Sequence, residues 1–259
     1  MTGPRLLLAG NWKMNGLRSD LAQIEAVKAG VGDSASVDIA LFPPATLISS
    51  AASILEGSGI EVGAQDCHTE ASGAFTGDLS AAMLRDAGAA SVIVGHSERR
   101  TAHGETSRTV RAKATAALKA GLQVVICIGE TKGERAASLA SNVCERQLTD
   151  SLPDEASPAN TVIAYEPVWA IGSGLSPTSD EIASIHHLLR GRLRKRSQAV
   201  AEVQGWRILY GGSVTPANAP AIFESSEVDG VLVGGASLKA SSFLAIIAAA
   251  NEASERRKL

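Results

Sequence analysis

Short runs of apolar residues recur along the chain at a regular interval, and eight of them have the length of a β-strand. They show little strict alternation of apolar and polar positions, which is typical of parallel strands that are covered on both faces. The runs are RLLLAG, VDIALF, IEVGAQ, SVIVG, LQVVICIG, TVIAY, RILYGG and GVLVGG, beginning at residues 5, 37, 60, 91, 122, 161, 207 and 230. We expect each run to form one strand of a single sheet.

Segments with helical periodicity lie between these runs. In the segment 19–29, Leu21, Ile24 and Val27 fall on one apolar stripe, as they do in an amphipathic helix that packs against a sheet. Ser19 precedes the stripe and belongs to the residue types that prefer the N-cap position. The pattern therefore predicts a helix after the first strand, with Ser19 as its N-cap.

A later helix is predicted to begin at Thr178, where the motif TSDE forms a capping box that ends at Glu181. Apolar residues follow at helical spacing at positions 182, 185, 188 and 189. Eight strands that each lead into a helix favour a closed (β/α)8 barrel, because right-handed crossovers leave few other topologies. A doubly wound open sheet is the alternative, but no GxGxxG motif follows the first strand. We predict a single barrel domain over residues 1–259.

Composition excludes several classes of function. A net charge of −3 and an aromatic content of 3% provide neither a basic surface nor stacking rings for nucleic acid. No stretch of eighteen apolar residues occurs, and the first apolar run is too short for a signal peptide, so we expect no membrane span. Three cysteines without a CxxC motif favour reduced thiols in the cytoplasm and no structural metal. We therefore expect a cytoplasmic protein.

Polar residues stand directly after several of the predicted strands. Asn11 and Lys13 follow the first, His96 follows the fourth and Glu166 follows the sixth. The carboxyl ends of the strands carry the active site in barrels of this kind, so these four side chains should converge. The loops AIGSG, YGGSV and LVGGASL follow the last three strands, and glycine-rich backbone there is typical of phosphate binding. The pattern predicts a small phosphate ester bound beside an acid–base site.

Each of these residues also has an ordinary structural interpretation. Glu166 could cap a helix, but the glycine-rich loop behind it favours a hinge. His96 alone is more typical of a core histidine, and only its place after an apolar strand favours catalysis. Lys13 could be a surface lysine, but we expect Trp12 and Met14 to bury the local backbone and to direct the amine to the rim. A cation held there requires an anion that compensates its charge.

Other polar residues are predicted to have structural roles. We expect Glu98 to provide the counter-charge of the rim lysine when no substrate is bound, and Arg99 and Glu105 to form an ion pair. His186 and His187 are adjacent on a helix, so they face different directions and cannot form a metal-binding pair at i, i+4. We predict that both lie at the surface.

Seven motifs together indicate a family. They are GNWKMNG, GAFTGD, VIVGHSERR, VICIGE, IAYEPVWAIGSG, LYGGSV and DGVLVGGASL, and they extend from Gly10 to Leu238. In this order they closely resemble the triosephosphate isomerase family, and the resemblance covers nearly the whole chain. It implies the (β/α)8 TIM barrel and the interconversion of dihydroxyacetone phosphate and glyceraldehyde 3-phosphate through a cis-enediolate, with no cofactor and no metal.

The resemblance also implies a role for individual residues. Glu166 is the general base, His96 the electrophile, Lys13 the electrostatic partner of the enediolate and Asn11 an amide that orients the substrate. Asn11 and Lys13 count among the substrate contacts as well, and the implied phosphate contacts are Gly172, Ser173, Ser213, Gly234 and Gly235. A mobile lid is implied from Pro167 to about Gly174.

The loop CHTEASGAFTGDLS, from Cys67 to Ser80, is long for a connection between a strand and a helix. Long ordered loops in compact domains are usually functional, and Phe75 at its tip needs an apolar environment. In the family this loop inserts into a second subunit, so the resemblance implies a homodimer in which Thr76 braces the active site of the partner.

Two alternatives remain open on the sequence. An isomerase of a four-carbon ketose phosphate would use the same catalytic residues and differ in the size of its pocket. A catalytically silent homologue that only binds phosphate would have no need to retain all four rim residues.

Overall fold

A closed barrel of parallel strands forms the centre of the molecule. The computed structural model describes residues 4–32, 36–171, 177–196, 205–225 and 227–258. Within them the strands follow one another around the barrel in sequence order, and the last pairs with the first. They are β1 (Leu7–Asn11), β2 (Asp38–Phe42), β3 (Ile60–Ala64), β4 (Ser91–Val94), β5 (Gln123–Ile128), β6 (Thr161–Tyr165), β7 (Arg207–Tyr210) and β8 (Gly230–Val233). Each predicted run contains one strand, and the predicted barrel is confirmed.

Helices occupy the connections between the strands. They are α1 (Leu21–Val31), α2 (Ile48–Leu55), α3 (Ala81–Asp86), α4 (Ser97–Ala102), α5 (Ser107–Lys119), α6 (Lys132–Ala136), α7 (Ala140–Ser151), α8 (Ser179–Arg196), α9 (Ala219–Glu224) and α10 (Ala240–Arg256). Single 3-10 turns cover Arg18–Asp20, Ala45–Leu47, Val168–Ala170 and Gly235–Leu238. Among the described residues, no helix combines the length and apolarity needed to cross a membrane.

The two predicted helix starts have different outcomes. The capping box before α8 is confirmed, because Glu181 Oε2 accepts the backbone N–H of Thr178 at 2.8 Å and the Thr178 hydroxyl accepts the N–H of Glu181 at 3.3 Å. The N-cap predicted at Ser19 is wrong. Ser19 lies inside a 3-10 turn, and the side chain that closes this turn is Asp20, which accepts the N–H of Leu17 at 2.7 Å.

The core has two layers, with the sheet between them. One cluster of buried side chains contains Leu7 and Ala9 together with residues of β2, β4, β5, β6, β7 and β8. Leu6 and Leu8 belong to a second, larger cluster that includes the apolar faces of the helices. Successive residues of β1 therefore face opposite sides of the sheet, the barrel interior and the helical shell. Cys127, which lies in the fifth run, is buried in the inner cluster.

One of the two histidines predicted at the surface is buried. His187 is exposed, but His186 is enclosed against the edge of the Tyr165 ring, and its Nδ1 lies 3.1 Å from the backbone oxygen of Glu227. Burial lowers the pKa of His186 to about 4. The prediction is wrong because His186 stands four residues after Ile182, which places it on the buried face of α8.

Candidate active site

A cavity of about 270 Å³, here called the catalytic cavity, opens at the carboxyl ends of the strands. Its wall contains all four residues predicted to take part in the chemistry and three of the predicted phosphate contacts. These seven residues are Asn11, Lys13, His96, Glu166, Ser213, Gly234 and Gly235. The other two predicted contacts, Gly172 and Ser173, and the predicted end of the lid at Gly174 lie outside the described residues.

Glu166 is held at the end of β6 by its backbone. Its N–H donates to the oxygen of Ile128 at 2.7 Å. A Cβ added to Gly129 would lie 1.7 Å from the backbone oxygen of Glu166, so only glycine allows the two loops to approach this closely. The pairing of the strands and the glycine at position 129 therefore fix the backbone that carries the carboxylate.

The Glu166 carboxylate is buried with its two oxygens occupied. Oε1 lies 2.9 Å from His96 Nε2, and Oε2 accepts the backbone N–H of Ser97 at 2.9 Å. Burial raises the pKa of Glu166, but the contacts with His96 and Ser97 outweigh it and hold the pKa below its usual value. The carboxylate is thus ionised and stabilised by these contacts.

His96 is both the N-cap of α4 and a wall of the cavity. Its Nδ1 accepts the backbone N–H of Glu98 at 3.3 Å. Burial lowers the pKa of His96, but the carboxylates of Glu166 and Glu98 together outweigh it, so the pKa lies above its usual value. The N–H donated to Nδ1 requires an unprotonated nitrogen, so this geometry favours a neutral ring that carries its proton on Nε2, facing the cavity.

Lys13 occupies a strained backbone conformation with φ of 53°. A residue other than glycine rarely adopts such an angle, and it persists where surrounding contacts enforce it. The backbone N–H of Lys13 donates to Asn11 Oδ1 at 2.9 Å, and its ammonium lies 2.7 Å from Glu98 Oε1. The predicted resting counter-charge is confirmed. Of the two neighbours expected to bury this backbone, Trp12 is buried, but Met14 is 97% exposed and that expectation is wrong.

A residue that we did not single out in the sequence supports the Lys13 turn. The Gln65 side-chain amide donates to the backbone oxygen of Lys13 at 2.9 Å and to that of Phe42 at 2.8 Å. One amide thereby joins the loops that follow β1, β2 and β3. A signal was present, because Gln65 is the polar residue that directly follows a strand, like the four predicted catalytic residues.

The opposite side of the cavity consists mainly of backbone. Gly234 is so close to the Lys13 side chain that a Cβ on it would lie 3.4 Å from Lys13 Cε, whereas no atom lies within 4 Å of the place where a Cβ of Gly235 would stand. Asn218 donates to the backbone oxygen of Ser213 at 2.9 Å and shapes the loop after β7. Exposed glycine backbone beside a lysine is suited to an anion such as phosphate.

A second and larger cavity of about 580 Å³, here called the groove, lies on the other side of Lys13. Lys113 and Arg99 line it, and each contacts both Asp66 and Glu105. The four distances are 2.7 Å for Lys113–Asp66, 2.6 Å for Lys113–Glu105, 2.9 Å for Arg99–Asp66 and 2.7 Å for Arg99–Glu105. The charges of the groove are therefore balanced within it, and the ion pair predicted between Arg99 and Glu105 is confirmed.

Comparison with known proteins gives one consistent result. The family model described as triosephosphate isomerase matches residues 6–250. The chain is 57% identical over 243 residues to the triosephosphate isomerase of Afipia carboxidovorans, covering 93% of this chain and 96% of that protein. It is 53% identical over 250 residues to that of Rhizobium meliloti, covering 96% and 97%. The crystal structure of triosephosphate isomerase from Bartonella henselae superposes with a TM-score of 0.88 at 45% identity, covering 95% of this chain and 98% of that one.

Proposed function

The chain belongs to the triosephosphate isomerase family and is an aldose–ketose isomerase, and we propose that Asn11, Lys13, His96 and Glu166 carry out its reaction in the catalytic cavity. The reaction interconverts dihydroxyacetone phosphate and D-glyceraldehyde 3-phosphate. It requires removal of a proton from carbon, protonation of a carbonyl oxygen and containment of the negative charge that appears between these steps. Glu166, His96 and Lys13 each meet one of these three requirements, and Asn11 orients the substrate.

Glu166 is the base in this proposal. A carboxylate in water is a weak base toward a carbon acid, and the resting contacts of Glu166 weaken it further by lowering its pKa. Substrate must therefore displace the carboxylate from the N–H of Ser97 and exclude water, which raises its basicity when the carbon lies in reach. Ile171 and Leu232 line the cavity and are the apolar groups suited to exclude that water.

His96 is the electrophile. Its Nε2 faces the cavity, and the proton on it can polarise the substrate carbonyl and then move between the two substrate oxygens. Lys13 stabilises the enediolate charge once substrate displaces Glu98 from its ammonium. The amide of Asn11 orients the substrate from the end of β1.

The phosphate is proposed to bind on the glycine side of the cavity. Ser213, Gly234 and Gly235 offer backbone N–H groups there, and the resemblance to the family adds Gly172 and Ser173. Lys13 stands between this side and the base, so one cation serves both the phosphate and the developing enediolate.

A single observation carries these assignments: the His96 imidazole and the Glu166 carboxylate are buried and in contact at 2.9 Å, at the mouth of a barrel whose other wall is glycine backbone. The test is Glu166→Asp in an assay with glyceraldehyde 3-phosphate and a coupled dehydrogenase. Withdrawal of the carboxylate by one methylene should lower turnover by about 10²-fold or more and alter KM far less, because reaction geometry is sensitive at about 1 Å. Near-normal turnover contradicts the assignment of the base.

The two alternatives make different predictions in the same assay. An isomerase of four-carbon ketose phosphates would prefer a tetrulose phosphate, and a silent homologue would turn over neither substrate. The catalytic cavity of about 270 Å³ is at the small end for a ligand site, which supports the smaller triose substrate.

The protein is proposed to act as a homodimer through the loop 67–80. Met14, Phe75 and Met83 are 97%, 42% and 54% exposed, and all three belong to the loop, to the rim of the groove or to the adjacent α3. Phe75 stacks on His68 with ring centroids 4.2 Å apart, which gives the loop a formed tip. Insertion of this tip into the groove of a second copy would bury these apolar groups and put Thr76 beside the Lys13 turn.

The remaining expectations extend this proposal. Residues 1–259 are proposed to form one domain, and the protein is proposed to work in the cytoplasm, in glycolysis and gluconeogenesis. Cys67, Cys127 and Cys144 are free and buried, which supports a reducing compartment. The chemistry proposed here uses only protein side chains, and it needs neither a metal nor a cofactor.

A further inference from the structure

The connection between β6 and α8 begins with the base and ends at a helix cap. Behind Glu166, the 3-10 turn Val168–Ala170 carries Trp169, whose indole N–H donates to Glu130 Oε1 at 2.8 Å. At the far end, Thr178 is capped by Glu181. The two ends belong to different elements. Among the described residues, Glu130 at one end and Glu181 at the other are not joined to each other by a hydrogen bond or ion pair.

A single guanidinium contacts both ends. Arg135, on the short helix α6, lies over the indole ring of Trp169 with its central carbon 4.4 Å from the ring centroid. One nitrogen of the same guanidinium lies 3.4 Å from Glu130 Oε1, and another forms an ion pair with Glu181. Planar stacking combined with forked hydrogen bonding is a property of arginine that lysine does not share.

The contact with Glu130 is electrostatically important. Glu130 is completely buried, and its carboxylate accepts hydrogen bonds from the Tyr165 hydroxyl at 3.2 Å and from Trp169. These donors are neutral, and among the described residues Arg135 is the cation in contact with this carboxylate. Removal of one partner of a buried ion pair leaves an uncompensated charge, and the structure around it rearranges. Tyr165 and Trp169 flank Glu166 in the sequence, so a rearrangement there moves the base.

We propose that Arg135 is a positioning residue for the isomerisation, which joins the two ends of the connection between β6 and α8 and, through Glu130 and Trp169, fixes the position of the Glu166 carboxylate. This inference rests on the proposal that Glu166 is the base. Arg135 does not line the catalytic cavity, so its effect is transmitted entirely through the residues that it contacts.

Arg135→Met tests the proposal, because methionine retains the apolar stem and removes the guanidinium. We expect kcat to fall about tenfold with KM nearly unchanged, since a displacement of the base by a fraction of 1 Å acts on the chemical step. We also expect more inorganic phosphate to be released per isomerisation, because a poorly enclosed enediolate expels its phosphate. A purely structural role would lower the melting temperature without changing this ratio.

A double-mutant cycle shows whether Arg135 joins the two ends. Glu181→Gln removes the ion pair but retains an oxygen that can accept the N–H of Thr178, so the helix cap survives. If Arg135 transmits the effect, Arg135→Met combined with Glu181→Gln should be no slower than Arg135→Met alone. Effects that multiply overturn the proposal, and so does a normal kcat in Arg135→Met.

Three controls complete the experiment. Arg146 on the neighbouring α7 is exposed, and its guanidinium forms no hydrogen bond or ion pair with the residues that the structure describes, so Arg146→Met should be silent. Arg135→Lys preserves the charge and should fold if Arg135→Met does not; a wild-type kcat and phosphate ratio in this variant overturn the need for a guanidinium. Glu166→Gln should be inactive, and activity in that variant would refute the assigned base independently of Arg135.

Discussion

Two cavities share Lys13, and they differ in almost every other respect. The groove, at about 580 Å³, is twice the size of the catalytic cavity, at about 270 Å³. Four of its charged side chains neutralise one another, with Lys113 and Arg99 each paired to both Asp66 and Glu105. The catalytic cavity has glycine backbone on one side and, on the other, a lysine, an imidazole and a carboxylate whose partners a substrate can displace.

The comparison indicates that the chemical state of the wall, rather than the volume, distinguishes the cavity proposed as the reaction site. The groove has no net charge to offer a phosphate ester, but it has a broad opening beside exposed apolar side chains, which suits a folded loop of another chain. The catalytic cavity is small and has glycine residues beside a lysine, which suits a triose phosphate. Lys13 lines both cavities, so a loop bound in the groove, as proposed, would support the backbone that carries the ammonium proposed to act in the reaction.

The largest effect is expected from removing the residue that the two cavities share. Lys13→Met should lower kcat/KM by about 10³-fold or more, because the cavity loses the cation that answers both the phosphate and the enediolate. Steady-state kinetics will measure this loss, with Lys119→Met on the exposed face of α5 as the control. Substantial turnover in Lys13→Met would transfer the electrostatic role to another residue.

Removal of the loop tip that is proposed to insert into the groove of a second copy is expected to have the next largest effect. Replacement of Ser72–Gly77 by a short Gly/Ser turn should give monomers whose turnover falls about 100-fold, although every residue of the catalytic cavity remains, because the Lys13 turn loses its outer support. Sedimentation and kinetics should be measured on the same sample. An unchanged dimer, or a fully active monomer, would show that the loop does not couple assembly to the reaction in the catalytic cavity.

Gln65 lines the groove and donates a hydrogen bond to the backbone of Lys13, which lines both cavities. The loss of its side chain is expected to have a moderate effect. Gln65→Ala removes the donor to the backbone oxygens of Lys13 and Phe42 and should lower kcat about tenfold, at about 1.4 kcal/mol for a factor of ten. The dimer should remain intact. Gln123→Ala, at the opposite end of the barrel, is the matched control, and equal losses in the two variants would deny Gln65 a specific role.

The smallest effect is expected from a carboxylate in the groove. Burial raises the pKa of Asp66 despite its contacts with Lys113 and Arg99. The folded protein thus holds this proton to a higher pH than the unfolded chain does, so the contribution of Asp66 to stability is greatest below the unfolded pKa and is lost as pH rises through the folded pKa.

Asp66→Asn imitates the protonated form, so it should retain activity within about twofold, and the stability of the wild type relative to this variant should fall as pH rises. Urea titrations from pH 3 to pH 7, a range of about four units around the usual carboxyl pKa, will measure the difference. A stability difference that instead grows in favour of the wild type as pH rises would mean that the network lowers the pKa of Asp66.

Most of the barrel could be predicted because its rules are local. Continuous apolar runs indicated buried parallel strands, and the motif beginning at Thr178 indicated a helix start through side chains three residues apart. The same rule of the polar residue after a strand indicated Asn11, His96 and Glu166. It applied equally to Gln65, but nothing local in the sequence shows that its amide reaches a backbone oxygen 52 residues away.

The wrong predictions have physical causes as well. The exposure of Met14 depends on what covers the groove, which a single chain does not determine. The burial of His186 was available from its helical spacing with Ile182, but the surface prediction considered only that the two adjacent histidines face different directions. Ser19 was assigned as an N-cap because residue type alone does not reveal that a 3-10 turn precedes the helix.

The left-handed backbone at Lys13 has a consequence for mutational drift. At this φ the backbone favours glycine or asparagine, and any other residue costs about 1 kcal/mol or more. Substitutions at position 13 that relieve this backbone strain therefore introduce residues that have no ammonium. Selection for folding and selection for turnover favour different residues here. A copy of the protein released from the demand for activity should lose this lysine early, and its stability should rise as it does so.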